Sequence, residues 1–329
     1  MSKSLKGVPA NKIARNLTLK DIKAMAKKVS NWNRWGPNDE IGTLNYIGAE
    51  ELKHAAKMVR KGKAISLGLD FNFHGPQTTG WGGRFNPIHT MLATGTDAVS
   101  GNQDAGGIRY ADDMVTMPLQ CGTQWDALGH VFYGDKMWNG YDAKLVDSTG
   151  AKKNGIEKTR SKMIGRGVLL DVARFKGGDY LADGYGISNK DLDDCAKAQN
   201  VEIRQGDFVI VRTGQMEERL AKNNWGTYAA GDAPGLRFET ATWIQKKKIA
   251  AICTDTWGCE VRPNEVKEAN QPWHWVIIPM VGITMGEIFN LKELADDCLK
   301  DGVYEFLFCA PSLPITGGVG SPINPIALK

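Results

Sequence analysis

Asp207-Phe208-Val209-Ile210-Val211-Arg212 is the stretch on which the fold class turns. It is short, rich in β-branched residues, bounded by a charge at each end and flanked by Gly206 and Gly214, the pattern of a strand buried on both faces. Runs of the same kind stand at 64–69, 167–172, 249–253 and 303–309. Helical periodicity fills the spaces between: 49–61, 189–199 with Ser188 as N-cap and Asp191 three residues on, 237–247, and 291–299 with Asn290 as N-cap and Glu293 at the third helical position. Strand and helix alternate through 165–300, which predicts an α/β class. Residues 73–107 and 311–325 turn to Gly, Pro, Asn and Thr and read as long loops, which in a compact domain usually carry function.

Composition narrows the classes. The 329 residues include 42% hydrophobic and 24% charged residues, enough apolar material for a full core, which excludes disorder and coiled coil. The formal charge of +4 is unevenly spread: residues 1–30 carry eight basic side chains and one acidic, leaving 33 basic against 36 acidic in the rest. A nucleic-acid partner needs positive charge on one face of the folded body, so none is expected. Thr18 followed by Asp21 predicts a capping box for a helix over 19–29 with solvated lysines. The expected organisation is a basic N-terminal helical arm, 1–38, and a single domain, 39–329. The longest apolar stretch, 275–283, is broken by Pro279 and too short to span a bilayer, so no membrane association is expected. Six cysteines without a Cys-x-x-Cys pair predict reduced thiols and a cytoplasmic protein.

The chemistry concentrates in Gln120-Cys121-Gly122-Thr123-Gln124-Trp125-Asp126-Ala127-Leu128-Gly129-His130. In an extended segment Gln124 and Asp126 project to one side, and Gly122 lets the backbone approach a bound ion or substrate. A carboxylate and an imidazole together can hold a divalent metal, although a polar strand edge packed by Trp125 has the same composition. A second group is His274 and Glu287, which are not at helical ligand spacing and converge only through a turn near Gly282.

This arrangement resembles the cyclase or kynurenine formamidase-like superfamily of metal-dependent hydrolases, whose signature is His-x-Gly-Thr-His-x-Asp-x-Pro-x-His. The blocks 167–172, 206–214 and Thr254-Asp255-Thr256, with His274 and Glu287 downstream, follow in the same order. The resemblance implies a compact α/β or swivelling β/β/α domain with long functional loops, a homodimer or homotetramer, and opening of cyclic amides, lactones or N-formyl amides by metal-bound water. Gln120 and Gln124 replace two signature histidines and Leu128 replaces its proline. The chain is similar to the longer branch of the superfamily, to which trans-dienelactone hydrolase is similar.

On this reading a divalent cation is held by Asp126, His274 and Glu287, with Gln120 or Gln124 completing the shell. Oxygen donors favour manganese over zinc. His130 is the expected general acid/base, with Asp126 beside it, and Thr123 and the 122–124 amides are expected to stabilise an oxyanion. The small-molecule substrate is expected to meet Trp81, Arg84, Asn86, His89 and Trp125, Arg84 pairing with a carboxylate. Those residues read equally well as core aromatics beside a surface charge. Three alternatives stay open: a binding protein that has lost its metal, a metal-independent hydrolase or dehydratase using His130 and Asp126, and a Cys121 nucleophile.

Overall fold

The computed structural model describes residues 4–329. Nine strands form one sheet: β1 (Ala64–Ser66), β2 (Gln124–Asp126), β3 (Ile164–Asp171), β4 (Phe208–Arg212), β5 (Ala251–Thr254), β6 (Thr284–Glu287), β7 (Glu305–Cys309), β8 (Gly320–Pro322) and β9 (Ile326–Leu328). Their spatial order is β8-β2-β6-β5-β4-β3-β7-β9-β1. The four central strands, β3 to β6, are parallel, and the pairings outside them are antiparallel. Burial on both faces explains their nearly continuous apolar sequences. Val168, Leu170, Val209, Val211, Ile252 and Met285 enter one core. The alternate residues Leu169, Phe208, Ile210, Ala251 and Cys253 enter the other.

Five helices cover these faces: α1 (Leu19–Val29), α2 (Ala49–Ala56), α3 (Asn189–Ala198), α4 (Thr240–Lys247) and α5 (Lys292–Asp301). Ser188 caps α3 as its sequence predicts, accepting from Asp191 N. The expected cap of α5 is corrected: Leu291 is the N-cap and makes no side-chain cap bond, while the Asn290 N–H before it donates to Leu67 O at 2.9 Å. Helix α4 starts three residues later than its periodicity suggests, and the Arg237 and Phe238 amides before it donate to Ile187 O and Glu265. The basic helix α1 has its Thr18/Asp21 capping box and exposed lysines. Its Ile22, Ala26 and Val29 nonetheless join the first core, and Gly7–Val8 pairs with Tyr180–Leu181, so this segment is docked on the body.

The region read as an irregular loop over 73–107 holds the first strand of a hairpin instead, whose second strand lies just beyond it. Ile88–Ala93 pairs antiparallel with Asp112–Thr116, and a short helix, Gly95–Val99, lies between them. The hairpin stands clear of the body with apolar side chains exposed, so the usual alternation of one buried and one wet face is missing from its sequence. Among the described residues no helix is long and apolar enough to cross a membrane.

Candidate active site

Strands β2 and β6 build the floor of the site. They pair antiparallel with Asp126 opposite Met285 and Gln124 opposite Glu287. Side chains alternate along a strand, so Gln124, Asp126 and Glu287 share one face, as the sequence predicts for Gln124 and Asp126. Gln124 Nε2 donates to Glu287 Oε2 at 2.7 Å and orients that carboxylate. Trp125 points the opposite way. Its indole donates to Ala310 O at 2.8 Å and its ring packs within 5.9 to 6.3 Å of Phe208, Phe289 and Phe308. Trp125 is thus removed from the substrate-binding set: it is a core residue, placed there by the same two-residue period that turns Asp126 inward. Trp125→Ala should lose about 3–5 kcal/mol in urea unfolding; a loss below about 1 kcal/mol contradicts this placement.

His274 reaches the floor from the connection between β5 and β6. The chain runs through a short helix, His274–Val276, and a π-helical turn, Ile277–Val281, and reverses at Gly282, whose φ of 76° is left-handed. A Cβ there would strike the Trp138 ring, so only glycine makes the turn. His274 Nδ1 lies 2.5 Å from Glu260 Oε1, and its Nε2 lies 3.4 Å from Glu287 Oε1. Glu260 also accepts the backbone amides of Trp273 and His274, which fixes the ring.

Asp126, His274 and Glu287 each offer a ligand atom, all three within 4.8 Å of one another and all buried. Burial, reinforced by the Glu287 charge, pushes the Asp126 carboxyl up to about 6. Burial also works against a charged His274, yet its bonds to Glu260 and Glu287 outweigh it and raise the imidazole to about 10. Asp126 Oδ1 and Gln124 Oε1 are buried without a hydrogen-bond partner. Orphaned acceptors beside concentrated buried negative charge fit a divalent cation with oxygen and imidazole donors.

A cavity of about 360 Å³ opens over this floor, lined by Trp81, Arg84, Asp126, His130, Phe132, Trp257, Gln271, His274, Trp275 and Glu287, among others. His130 Nε2 stands 3.7 Å from Asp126 Oδ1, too far for a hydrogen bond. Loss of solvent lowers its pKa, which keeps the ring neutral at pH 7. Cys121 is buried and its thiol is pushed up to about 11, which disfavours the thiolate that a cysteine nucleophile requires.

The sequence-derived set divides cleanly. Asp126, His130, His274, Glu287, Trp81 and Arg84 meet at this cavity, and Gln124 contacts it through Glu287. Gln120 is buried with its amide against Gly320, the residue opposite Asp126 across the sheet, and its Nε2 has no partner. Thr123 is corrected to a structural role: its hydroxyl donates to Ile288 O at 2.6 Å and accepts from Leu69 N at 2.8 Å, which leaves it turned away from the cavity. Asn86 accepts from Gln77 N and lines a different cavity, with His74, Arg219 and Trp225. His89 sits on the exposed hairpin paired with Asp113. Neither lines the cavity over Asp126, because the hairpin carries the chain away after Phe85. Glu260 and Trp257 belong to the site and carry no motif spacing that announces them.

Comparison with known proteins agrees with this architecture. The Cyclase family model matches residues 66–261. A solved structure described as a novel cyclase is similar with a TM-score of 0.84 and 37% identity, covering 92% of this chain and 99% of that one. Isatin hydrolase A from Labrenzia aggregata, bound to benzyl benzoate, is similar with a TM-score of 0.60 and 17% identity over 80% of this chain and 93% of its own. For isatin hydrolase A from Ralstonia solanacearum the values are 0.58, 15%, 80% and 91%. At these identities the likeness to the isatin hydrolases concerns the fold. Comparison with curated proteins gives no match.

Proposed function

Because the chain belongs to the Cyclase family, we propose that it is a metal-dependent hydrolase that opens a small cyclic ester or cyclic amide. The observation that carries this reading is the buried Asp126–His274–Glu287 cluster, with Asp126 Oδ1 unpartnered, at the floor of a cavity of small-molecule size. The oxygen-rich donor set favours Mn²⁺ over Zn²⁺. A divalent ion bound there supplies a polarised substrate carbonyl and a water of lowered pKa.

The chain's own residues do the rest. Glu260 accepts the Nδ1 proton of His274, which leaves Nε2 for the ion once its own proton has left. Gln124 holds Glu287 by one oxygen and leaves the other for ligation. His130, neutral and at the cavity wall, takes a proton at one ring nitrogen and returns it to the leaving oxygen or nitrogen.

The test is metal content by mass spectrometry, combined with turnover on a panel of lactones and cyclic amides, isatin among them, before and after chelation. The expected result is about one Mn²⁺ or Zn²⁺ per chain and turnover that disappears on chelation and returns with metal. Turnover insensitive to chelation overturns the proposal in favour of a metal-independent enzyme.

The hairpin supports a second copy of this chain as partner. Ile88, Leu92, Val99, Ile108, Tyr110 and Val115 are 49 to 87% exposed, an amount of open apolar surface that a monomer rarely carries on one small element. An isolated two-stranded hairpin is marginal in water, which is a further reason for it to be covered. Light scattering should give a dimer or tetramer for the wild type and a monomer for the double variant Val99→Glu/Ile108→Glu. A monomeric wild type overturns this part.

A further inference from the structure

We infer that Arg84 binds an anionic group of the substrate, a carboxylate, and so selects acidic cyclic esters or amides. This rests on the hydrolase reading of the neighbouring cluster and names its substrate class.

The two fully buried arginines among the described residues, Arg166 and Arg212, are matched with carboxylates. Arg166 meets Asp207 at 2.6 Å and Glu305 at 2.6 Å, and Arg212 meets Asp171 and Glu217, each at 2.7 Å. Arg84 is different. It is half-buried and lines the cavity, its one hydrogen bond is a long one of 3.5 Å from Nη1 to Gln120 O, and none of its ion-pair distances falls within 4.0 Å among the described residues. A guanidinium presents five N–H donors in a planar fork, so most of its capacity is unused.

Its position is nevertheless fixed. The Arg84 Cζ lies 5.2 Å from the Trp81 ring centroid and 5.3 Å from that of Trp257. The two indoles meet edge to face, 5.1 Å apart at 83°. Contact with two π faces holds the cation without neutralising it and leaves the edge of the fork, where the donors are, for a ligand. Trp257 lines the same cavity and is only 3% exposed, so the ring that stacks on Arg84 is itself held in place. A carboxylate takes the free edge of the Arg84 fork.

The cavity is therefore polar in a directed sense. One wall offers Arg84, and the floor offers the Asp126 and Glu287 carboxylates, which repel an anion unless a cation intervenes. A substrate with a carboxylate on one side and its hydrolysable carbonyl on the other can bind in one orientation only, carbonyl to the floor. Arg84 would then be a specificity-determining residue.

The experiment compares two substrates identical except that one carries a ring carboxylate and the other the primary amide, using metal-loaded wild type, Arg84→Met and Arg84→Lys. The wild type should favour the acid by at least about 100-fold in kcat/KM. Arg84→Met should reduce that preference below about threefold, chiefly through KM, and Arg84→Lys should keep an intermediate preference. Equal use of acid and amide by the wild type overturns the inference. So does an equal fall in kcat for both substrates in Arg84→Met, which marks an oxyanion-stabilising role instead. Calorimetry on metal-loaded protein gives a readout independent of turnover: benzoate should bind the wild type at least tenfold more tightly than benzamide, and Arg84→Met should abolish the difference. If no substrate is hydrolysed but this difference is present, the hydrolase reading fails and the anion site stands; if hydrolysis is seen without the difference, the reverse holds.

Discussion

Asp126→Asn is expected to lose stoichiometric metal and at least about 1,000-fold in turnover, while its metal-free form melts at or above the wild-type temperature at pH 8. The first half follows from the cluster. Asp126 is one of three side chains whose ligand atoms share a 4.8 Å neighbourhood, and its Oδ1 has nothing else to bind. An amide in its place offers a neutral, weaker oxygen donor, and losing the ion forfeits several kcal/mol of transition-state stabilisation.

The second half follows from the sign of its pKa shift. Burial raises the Asp126 carboxyl from 3.8 to about 6, so the folded protein holds that proton more tightly than the unfolded chain does. Its contribution to stability is fully present below pH 3.8 and is lost as pH rises through 6. At pH 8 the ionised carboxylate then costs metal-free protein on the order of 3 kcal/mol, which asparagine removes. Metal binding should also strengthen as pH rises through 6, because the ion displaces protons from Asp126 and from His274 Nε2. Differential scanning fluorimetry with and without Mn²⁺, read beside metal content, checks all of this. A large Mn²⁺-induced rise in melting temperature in Asp126→Asn removes Asp126 from the ligand set.

The parts of this site that the sequence discloses are those governed by local periodicity. The spacing of Gln124 and Asp126 on an extended segment puts them on one face, and the same count, applied to Thr123 and Trp125, turns both away from it. Gly282 marks the reversal that brings His274 back over Glu287. The buried parallel strands are legible because each is an unbroken apolar run. What stays hidden depends on long-range placement. Glu260 reaches His274 across 14 residues of irregular chain between β5 and β6, and Trp257 meets Arg84 from an equally irregular segment. No repeat or motif spacing connects either pair. The hairpin over 88–116 escapes for a different reason: both of its faces are exposed, so it lacks the one-sided hydrophobic pattern that identifies a strand.

His130 sets the second large effect. His130→Ala at saturating metal should lower kcat by about 100- to 10,000-fold, the span of general acid–base catalysis, and leave metal stoichiometry at the wild-type value. The metal result separates this residue from Asp126, because His130 lies outside the group whose ligand atoms converge. The pH profile gives the sharper distinction. Loss of solvent lowers the His130 pKa from its ordinary 6.5, so the ring is protonated and unable to accept a proton only on the acid side of that value. Wild-type kcat should accordingly rise with pH below 6.5 and level off above it. Measurement at saturating Mn²⁺ keeps the titration of Asp126 and His274 out of this limb, since both are then committed to the ion. In His130→Ala the limb should vanish and added imidazole should restore part of the rate. If the limb persists unchanged in the variant, it belongs to the metal-bound water, and the proton acceptor must be sought among the other groups at the cavity wall.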